Sequence, residues 1–425
     1  MNTLLNILTS IISQAAVLVA LISFVGLVAQ KATVERTMNG TLKTFLGFLI
    51  MQQGSNIITN MLGPLNEIMM EAFHIQGVIP VNEAITAMAS EQYGTKMAFI
   101  AFFGLALNII LARFTRFKYI FLSGHHTIIM AALTAVLLSM FGLPTPAVIA
   151  IGAIVIGVMS VLSPAVSMPF MRKITGGDTL ALGHWATAGY IFSGFIGKIF
   201  GKDPEETSTE KMELPKWMSF LKEPVILMGV GVFIITMFAC AFAGTEFVAN
   251  YAGSTHMVVW AFMQGFIFSA GVSVILQGVR MILAELVPAF KGIAEKIVPN
   301  AIPALDCPTV FTFAPNAVLV GFIGYTIGQV IAFGICIATG MTVIVPTLLH
   351  SFFMGGTAAI FANATGGRRG ALIGSMLTGV LNNMLCSFLF PAFAALGFAG
   401  TTFADTDFSI IGLLFYNIAK LLGLA

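Results

Sequence analysis

Asp306 lies in the run Ala301-Ile302-Pro303-Ala304-Leu305-Asp306-Cys307-Pro308. A carboxylate in so apolar a stretch needs a partner or a task, because a charge at membrane depth is expensive. It is suited to accepting hydrogen bonds from the hydroxyls of a polar solute. A second acid, Glu83, holds the related place in Val78-Ile79-Pro80-Val81-Asn82-Glu83. His125 and His126 follow Ser123-Gly124, and His184 follows Gly183. A ring nitrogen beside a glycine offers a hydrogen bond and close backbone approach, so His125 and His184 read as ligand contacts. His126 and His350 read instead as satisfied donors between helices. Gln52, Gln53, Gly54 and Ser55 are consecutive within an apolar segment. Four residues cover a helix circumference, so some must face the interior, where amides and a hydroxyl suit a polyhydroxy solute. Arg280 with Glu285, and Arg368-Arg369, read as charges at the cytoplasmic ends of spans. No histidine pair has zinc-ligand spacing on a helix, and neither a metal nor a cofactor is expected. No nucleophile constellation stands out, so no catalytic residues are expected.

These residues fall into two related halves. Gln53-Gly54 with Pro64 matches Gln277-Gly278 with Pro288, an offset of 224 residues. The Val78–Glu83 and Ala301–Asp306 runs match after a one-residue slip. His126 and Met130, followed by Ala131-Ala132, match His350 and Met354, followed by Gly355-Gly356, at the original offset. Paired repeats in a membrane chain mark an alternating-access transporter, with its site at the repeat interface.

The solvent of this chain must be lipid. It is 58% hydrophobic and 9% charged, against about 25% charged for a soluble domain. A net charge of +2 leaves no nucleic-acid footprint. The four cysteines, Cys240, Cys307, Cys336 and Cys386, are scattered through apolar stretches and read as packing residues. No cleavable signal pattern precedes the first apolar run. Runs long enough to cross a bilayer lie near 5–28, 41–62, 96–114, 119–141, 145–164, 224–245, 256–279, 316–339, 342–363, 370–396 and 408–424. The expected fold is therefore an all-α membrane protein of about eleven spans. Residues 1–200 form the first repeat, 201–223 a cytoplasmic connector and 224–425 the second repeat. Lys31, Arg36, Lys43, Arg113, Arg116, Lys118, Arg172 and Lys173 place the N-terminus outside by the positive-inside rule and the C-terminus inside. Segment 198–223 then begins the second half on the cytoplasmic side. Segment 179–197 must be re-entrant, the repeats are inverted, and Asp405 and Asp407 fall outside. The connections 64–94 and 281–315, interrupted by Gly77, Pro80, Pro288, Pro303 and Pro308, read as re-entrant hairpins.

Several of these stretches resemble the ascorbate-specific membrane (IIC) component of the bacterial phosphotransferase system. They are Leu42-Lys43-Thr44 through Gln52-Gln53-Gly54-Ser55, Ser123-Gly124-His125, Gly183-His184, Gly278-Val279-Arg280-Met281 through Ala284-Glu285-Leu286, Leu305-Asp306-Cys307 and Phe313-Ala314-Pro315-Asn316-Ala317-Val318. The resemblance runs over essentially the whole chain and is densest at 278–318. It implies a homodimer in the inner membrane, with a substrate-holding core domain and a dimerisation domain each drawn from both repeats. It also implies cytoplasmic IIB and IIA phosphocarriers that phosphorylate the delivered sugar. The chain itself shows no segment for a carrier domain. The family's ascorbate site matches Gly54, Ser55, His125, His184 and Asp306 here, with Asn82 where the family has threonine. Gln52, Gln53 and Glu83 form a second tier. Three positions depart: Ile129, Met130 and Trp185 stand where the family has glutamines. Those losses remove amides, and Trp185 is expected to add a stacking face. The implied solute is L-ascorbate or a related sugar or sugar acid. The rival reading is an ion-coupled carrier of a small carboxylate or polyol, with Asp306 and Glu83 as proton carriers.

Overall fold

Backbone in lipid must satisfy its own hydrogen bonds, so long apolar runs become helices. The computed structural model describes residues 14–73, 77–212, 224–296, 298–398 and 401–424. In chain order the elements are α1 (Ala15–Ala29), α2 (Val34–Ala72), β1 (Ile79–Pro80), α3 (Asn82–Phe114), β2 (Tyr119–Phe121), α4 (Gly124–Ser139), α5 (Thr145–Thr175), β3 (Ala181–Leu182), α6 (Thr187–Phe200) and α7 (Pro204–Thr207). A 3-10 turn, Thr209–Lys211, follows. The second half holds α8 (Pro224–Ala243), α9 (Thr245–Ala252), α10 (Met257–Lys296), β4 (Ile302–Leu305), α11 (Pro315–Thr339), α12 (Leu348–His350), α13 (Gly356–Ala395), β5 (Thr401–Thr402) and α14 (Thr406–Leu421). A π-helical turn, Ser351–Gly355, joins α12 to α13, and α13 kinks at Gly366-Gly367.

Among the described residues, five helical stretches are long and apolar enough to cross a membrane, by length and composition: Glu91–Phe114, Thr145–Thr175, Met257–Leu286, Pro315–Thr339 and Leu348–Ala395. Shorter apolar helices are Val19–Ala29, Gly124–Ser139 and Met228–Ala243. Not every apolar run is thus a full-length helix. The run 119–141 splits into β2 and the 16-residue α4, because the backbone of Tyr119–Phe121 pairs with β4. In 342–363 the helix begins only at Leu348. Segment 179–197 holds β3 and most of the 14-residue α6. At 1.5 Å per residue, α6 is about 21 Å long, short of the roughly 30 Å hydrocarbon core.

The prolines also act differently from expectation. α2 runs through Pro64 and α10 through Pro288. Each proline removes a donor from the helix, but the helices run on to Ala72 and Lys296, ahead of the Ile-Pro segments. β4 lies between β2 and β3 in a parallel sheet, with Tyr119 opposite Ile302 and Leu182 opposite Leu305. β1 pairs with β5, Ile79 opposite Thr401, and Val78 bridges Ile344. Each Ile-Pro segment is therefore held by strands of the other half.

Element boundaries recur across the halves. Shifting α2 by 224 residues gives 258–296, against Met257–Lys296 for α10. Shifting α4 likewise gives 348–363, which starts where α12 starts. α2 and α10 pack at backbone contact. A Cβ on Gly278 would lie 2.6 Å from Gly47 O, and one on Gly54 2.7 Å from Gly271 O. Only glycine permits this approach. The order of these pairs makes the two helices antiparallel. Glu285 of α10 is buried and accepts from Arg36 Nη1 at 2.5 Å, with Lys43 Nζ at 3.7 Å. It is thus an interhelical anchor and not an exposed end-of-span charge. Two apolar cores result, one around Phe268, Phe311 and Phe352, the other around Leu133, Trp185 and Phe408.

Candidate functional site

Asp306 follows the last residue of β4. Its Oδ1 accepts the Cys307 N–H at 2.7 Å, capping the 3-10 turn Cys307–Thr312. The sheet then brings other residues to it. Leu122 N–H donates to Ala304 O at 3.0 Å, and Gly183 N–H to Leu305 O at 2.7 Å. A Cβ on Gly183 would sit 2.5 Å from Ala304 O, so this approach requires glycine. Ser123 Oγ donates to Gly183 O at 2.5 Å and ties the two first-half segments together. The first turn of α4 and the chain after β3 therefore converge on Asp306.

Three imidazoles surround that carboxylate. His125 Nε2 is 3.3 Å from Asp306 Oδ2, while His126 Nε2 and His184 Nε2 are 3.5 and 3.7 Å from Oδ1. The His126 ring lies 4.3 Å from that of His125 and 4.1 Å from that of His184, centroid to centroid. His184 Nδ1 meets the Tyr190 hydroxyl at 3.2 Å. His126 Nδ1 is 3.9 Å from Oδ2 of a second buried acid, Asp405. Asn82 holds that end: its Nδ2 donates to Asp405 Oδ2 at 3.3 Å, and its Oδ1 accepts the Ala404 N–H at 2.9 Å. His126 thus stands between two carboxylates.

These groups line a cavity of about 390 Å³, within the usual size range of small-molecule sites. Gln52, Ser55 and Asn56 line it from α2, with Ile129, Cys307, His350 and Met354 elsewhere on the wall. His350 is fixed by Thr347, whose Oγ1 lies 2.6 Å from Nδ1. The wall offers carboxylate acceptors, imidazole donors or acceptors, amides and a hydroxyl, a set able to hold a solute rich in oxygen. The sets His125–His126–Asp306 and His126–His184–Asp405 also keep their donor atoms within 4.8 Å of one another, close enough to share a metal ion. Tertiary contact provides this clustering, which helix spacing alone did not reveal.

Of the residues singled out from sequence, Gln52, Ser55, Asn82, His125, Ile129, His184 and Asp306 line the cavity. The expected contacts Gly54, Gln53, Met130 and Trp185 are off the wall. Gly54 is packed against α10, where a Cβ would lie 2.6 Å from Ile275 N. Gln53 is exposed and off the wall. Met130 is fully buried in the second core. Trp185 presents no stacking face to a solute. It is fully buried against Phe121, ring centroids 4.6 Å apart, and its Nε1–H donates to His126 O at 3.0 Å. Glu83 is the second residue of α3, and its side chain lies outside the described residues. Among the described residues, a second acid on the wall is Asp405. Asp405 is no loop charge, because β5 pairs with β1 and draws it inward. Asp407 is buried too, accepting the Thr187 and Ala188 N–H groups at 3.1 and 2.9 Å at the start of α6. His126 and His350 line the cavity together instead of serving only as interhelical donors.

Residues 10–407 match the EIIC-GAT family model, described as the PTS system sugar-specific permease component. The "Ascorbate-specific PTS system EIIC component" of Mycoplasma pneumoniae (strain ATCC 29342 / M129 / Subtype 1) is 25% identical over 449 aligned residues. The alignment covers 90% of this chain and 66% of that protein, so the chain spans just under two thirds of its relative's length. With a match from residue 10 to residue 407 over a largely helical fold with several membrane-crossing stretches, the chain belongs to the sugar-specific permease (EIIC) family of the phosphotransferase system.

Proposed function

We propose that this chain binds L-ascorbate, or a closely related sugar acid, in the cavity around Asp306 and carries it across the bacterial inner membrane. A partner IIB protein, charged through IIA, phosphorylates the solute as it is delivered. The observation that carries this reading is the composition of the wall, with Ser55, Asn82, His125, His126 and His184 from one half and Asp306, His350 and Asp405 from the other. Ascorbate is a monoanion, its enediol deprotonated at one oxygen, with side-chain hydroxyls. Imidazole N–H groups suit the former, and carboxylates accept from the latter. A site drawn from both halves is what alternating access requires, since relative motion of the halves changes which side it opens to. The antiparallel packing of α2 against α10 supports inverted repeats. Phosphorylation makes delivery irreversible, because the charged product no longer fits the site. The functional unit is a homodimer in lipid.

The test is thermal unfolding of the purified chain against L-ascorbate, galactitol and a series of sugar acids. A ligand at a hundred times its Kd stabilises by about 2.7 kcal/mol. Ascorbate or a sugar acid should give a saturable rise. Stabilisation by galactitol alone would overturn the assignment of an anionic solute.

A further inference from the structure

The geometry around Asp306 points to a second kind of ligand. We propose that the cavity binds a divalent transition metal, with Zn²⁺ as the type ion, through His125 Nε2, His126 Nε2 and Asp306, leaving one coordination position open to the cavity.

The distances argue for it. Zinc takes nitrogen at about 2.0–2.1 Å and carboxylate oxygen at about 2.0–2.2 Å in a tetrahedron. Tetrahedral geometry at those lengths sets neighbouring ligand atoms roughly 3.3–3.5 Å apart. His125 Nε2 and His126 Nε2 lie 3.3 and 3.5 Å from the two Asp306 oxygens. Charge-assisted hydrogen bonds are shorter, about 2.7–2.9 Å. Each imidazole nitrogen thus stands from one Asp306 oxygen at about the separation that two ligands of one zinc ion keep, and the three donor atoms all lie within 4.8 Å of one another.

The surroundings are those of a built site. The far nitrogen of His126 faces Asp405 at 3.9 Å, approaching the carboxylate–histidine–metal arrangement that orients a ring and raises its basicity. Trp185 pins the His126 backbone, and the Cys307 N–H fixes the Asp306 carboxylate. His184 Nε2, 3.7 Å from Asp306 Oδ1, adds a further imidazole to the cavity wall. Two imidazoles and one carboxylate suit zinc, copper or nickel, whereas magnesium and calcium favour all-oxygen sites. Metal and sugar would compete for Asp306.

Cobalt(II) titration of the tag-free, full-length protein in detergent tests the proposal without any sugar, so its failure leaves the transport reading untouched. The intense visible absorption of four-coordinate cobalt should appear, saturate at one equivalent and be bleached by Zn²⁺. Asp306→Asn and His126→Gln should each weaken the affinity at least about tenfold, the effect expected for losing a group of the coordination sphere. His256→Ala, at an exposed histidine off the cavity wall, should leave it unchanged. A wild-type spectrum showing only weakly absorbing six-coordinate cobalt would overturn the site. So would undiminished absorption in a folded His125→Ala, His126→Gln protein.

Discussion

Asp306 and Asp405 are the carboxylates on the cavity wall among the described residues, and each is held by a neutral donor: the Cys307 N–H for one, Asn82 for the other. A carboxylate has about four acceptor sites, so each can also take a hydrogen bond from a solute. Asp306→Asn keeps the shape and removes the charge. Uptake should fall at least about tenfold, near 1.4 kcal/mol, at normal expression; unchanged uptake would remove Asp306 from the site. The departures from the family pattern separate under the structure. Ile129 is on the cavity wall, so Ile129→Gln restores an amide where a solute can use it. Each such bond is worth roughly 0.5–1.5 kcal/mol, and ascorbate binding by calorimetry should tighten accordingly. Met130→Gln should instead bury an unpaired amide in the second core at a cost of about 1–3 kcal/mol. Thermal unfolding tells the two apart: Ile129 is also buried but reaches the cavity wall, so the Ile129→Gln protein should lose less than the Met130→Gln protein, which should lose several degrees. Asp306 was legible from sequence because a lone charge in an apolar run has few explanations. Asp405 was not, because Thr401-Thr402-Phe403-Ala404-Asp405-Thr406-Asp407 reads as a polar loop until β5 is seen to pair with β1. Trp185 misled for the opposite reason. An indole beside a site histidine looks like a platform, yet side chains of neighbouring residues point in different directions, and this one points into the core.

At the scale of elements, the apolar runs were legible and their breaks were not. Proline normally marks a helix end, yet Pro64 and Pro288 are carried inside α2 and α10. The extended segments form where a strand from the other half supplies partners, which no local pattern encodes. The α2–α10 contact gives a direct test. A Cβ on Gly278 would lie 2.4 Å from Met51 N, with backbone on the far side that cannot yield. Gly278→Ala should destabilise by about 1–3 kcal/mol through overpacking. Gly94→Ala, where nothing lies within 4 Å, should be neutral or slightly stabilising. Equal effects at both sites would contradict the backbone contact. The connector behaves as a clamp. Glu210 Oε1 accepts the Ala317 N–H at 3.1 Å in the first turn of α11, and Asn363 Oδ1 accepts the Thr209 N–H at 2.9 Å. Burial raises the Glu210 carboxyl above its ordinary value, more than its hydrogen bonds to Thr209, Ala317 and Asn316 lower it. An acid raised on folding stabilises the fold when protonated and loses that contribution as pH climbs through its folded pKa. Glu210→Gln should therefore match or exceed wild type at neutral pH, and the difference should close below about pH 4.5, the ordinary value. Glu210→Ala, which loses the acceptor, should cost about 0.5–2 kcal/mol, as lost helix caps do.

The shared offset and the strand pairing between the halves support reading the whole molecule as two copies of one plan. β1 of the first copy needs β5 and Ile344 of the second, and β4 of the second needs β2 and β3 of the first. Neither half can form its extended segment alone, and the cavity wall is divided in the same way. α2 and its counterpart α10 run antiparallel, with Gly47 against Gly278 and Gly54 against Gly271. A shift of 224 carries Gly54 onto Gly278 and Gly47 onto Gly271, so the contact maps onto itself when the copies are exchanged. Such a contact relates the two helices by a twofold axis perpendicular to them. If both helices stand across the bilayer, that axis lies in the membrane plane and the copies have opposite orientation, the arrangement that gives a transporter two exchangeable states. The clamp 201–212 should then be cytoplasmic, and the end of α2 that carries Glu67 should face outward. Both Glu67 and Glu206 are exposed, so a cysteine at either leaves packing intact. In intact cells an impermeant thiol reagent should label Glu67→Cys and spare Glu206→Cys, and permeabilisation should expose the second. The four native cysteines are buried and should contribute little background. The reverse pattern would invert the orientation, and labelling of both in intact cells would place the two positions on one side and break the inverted arrangement itself.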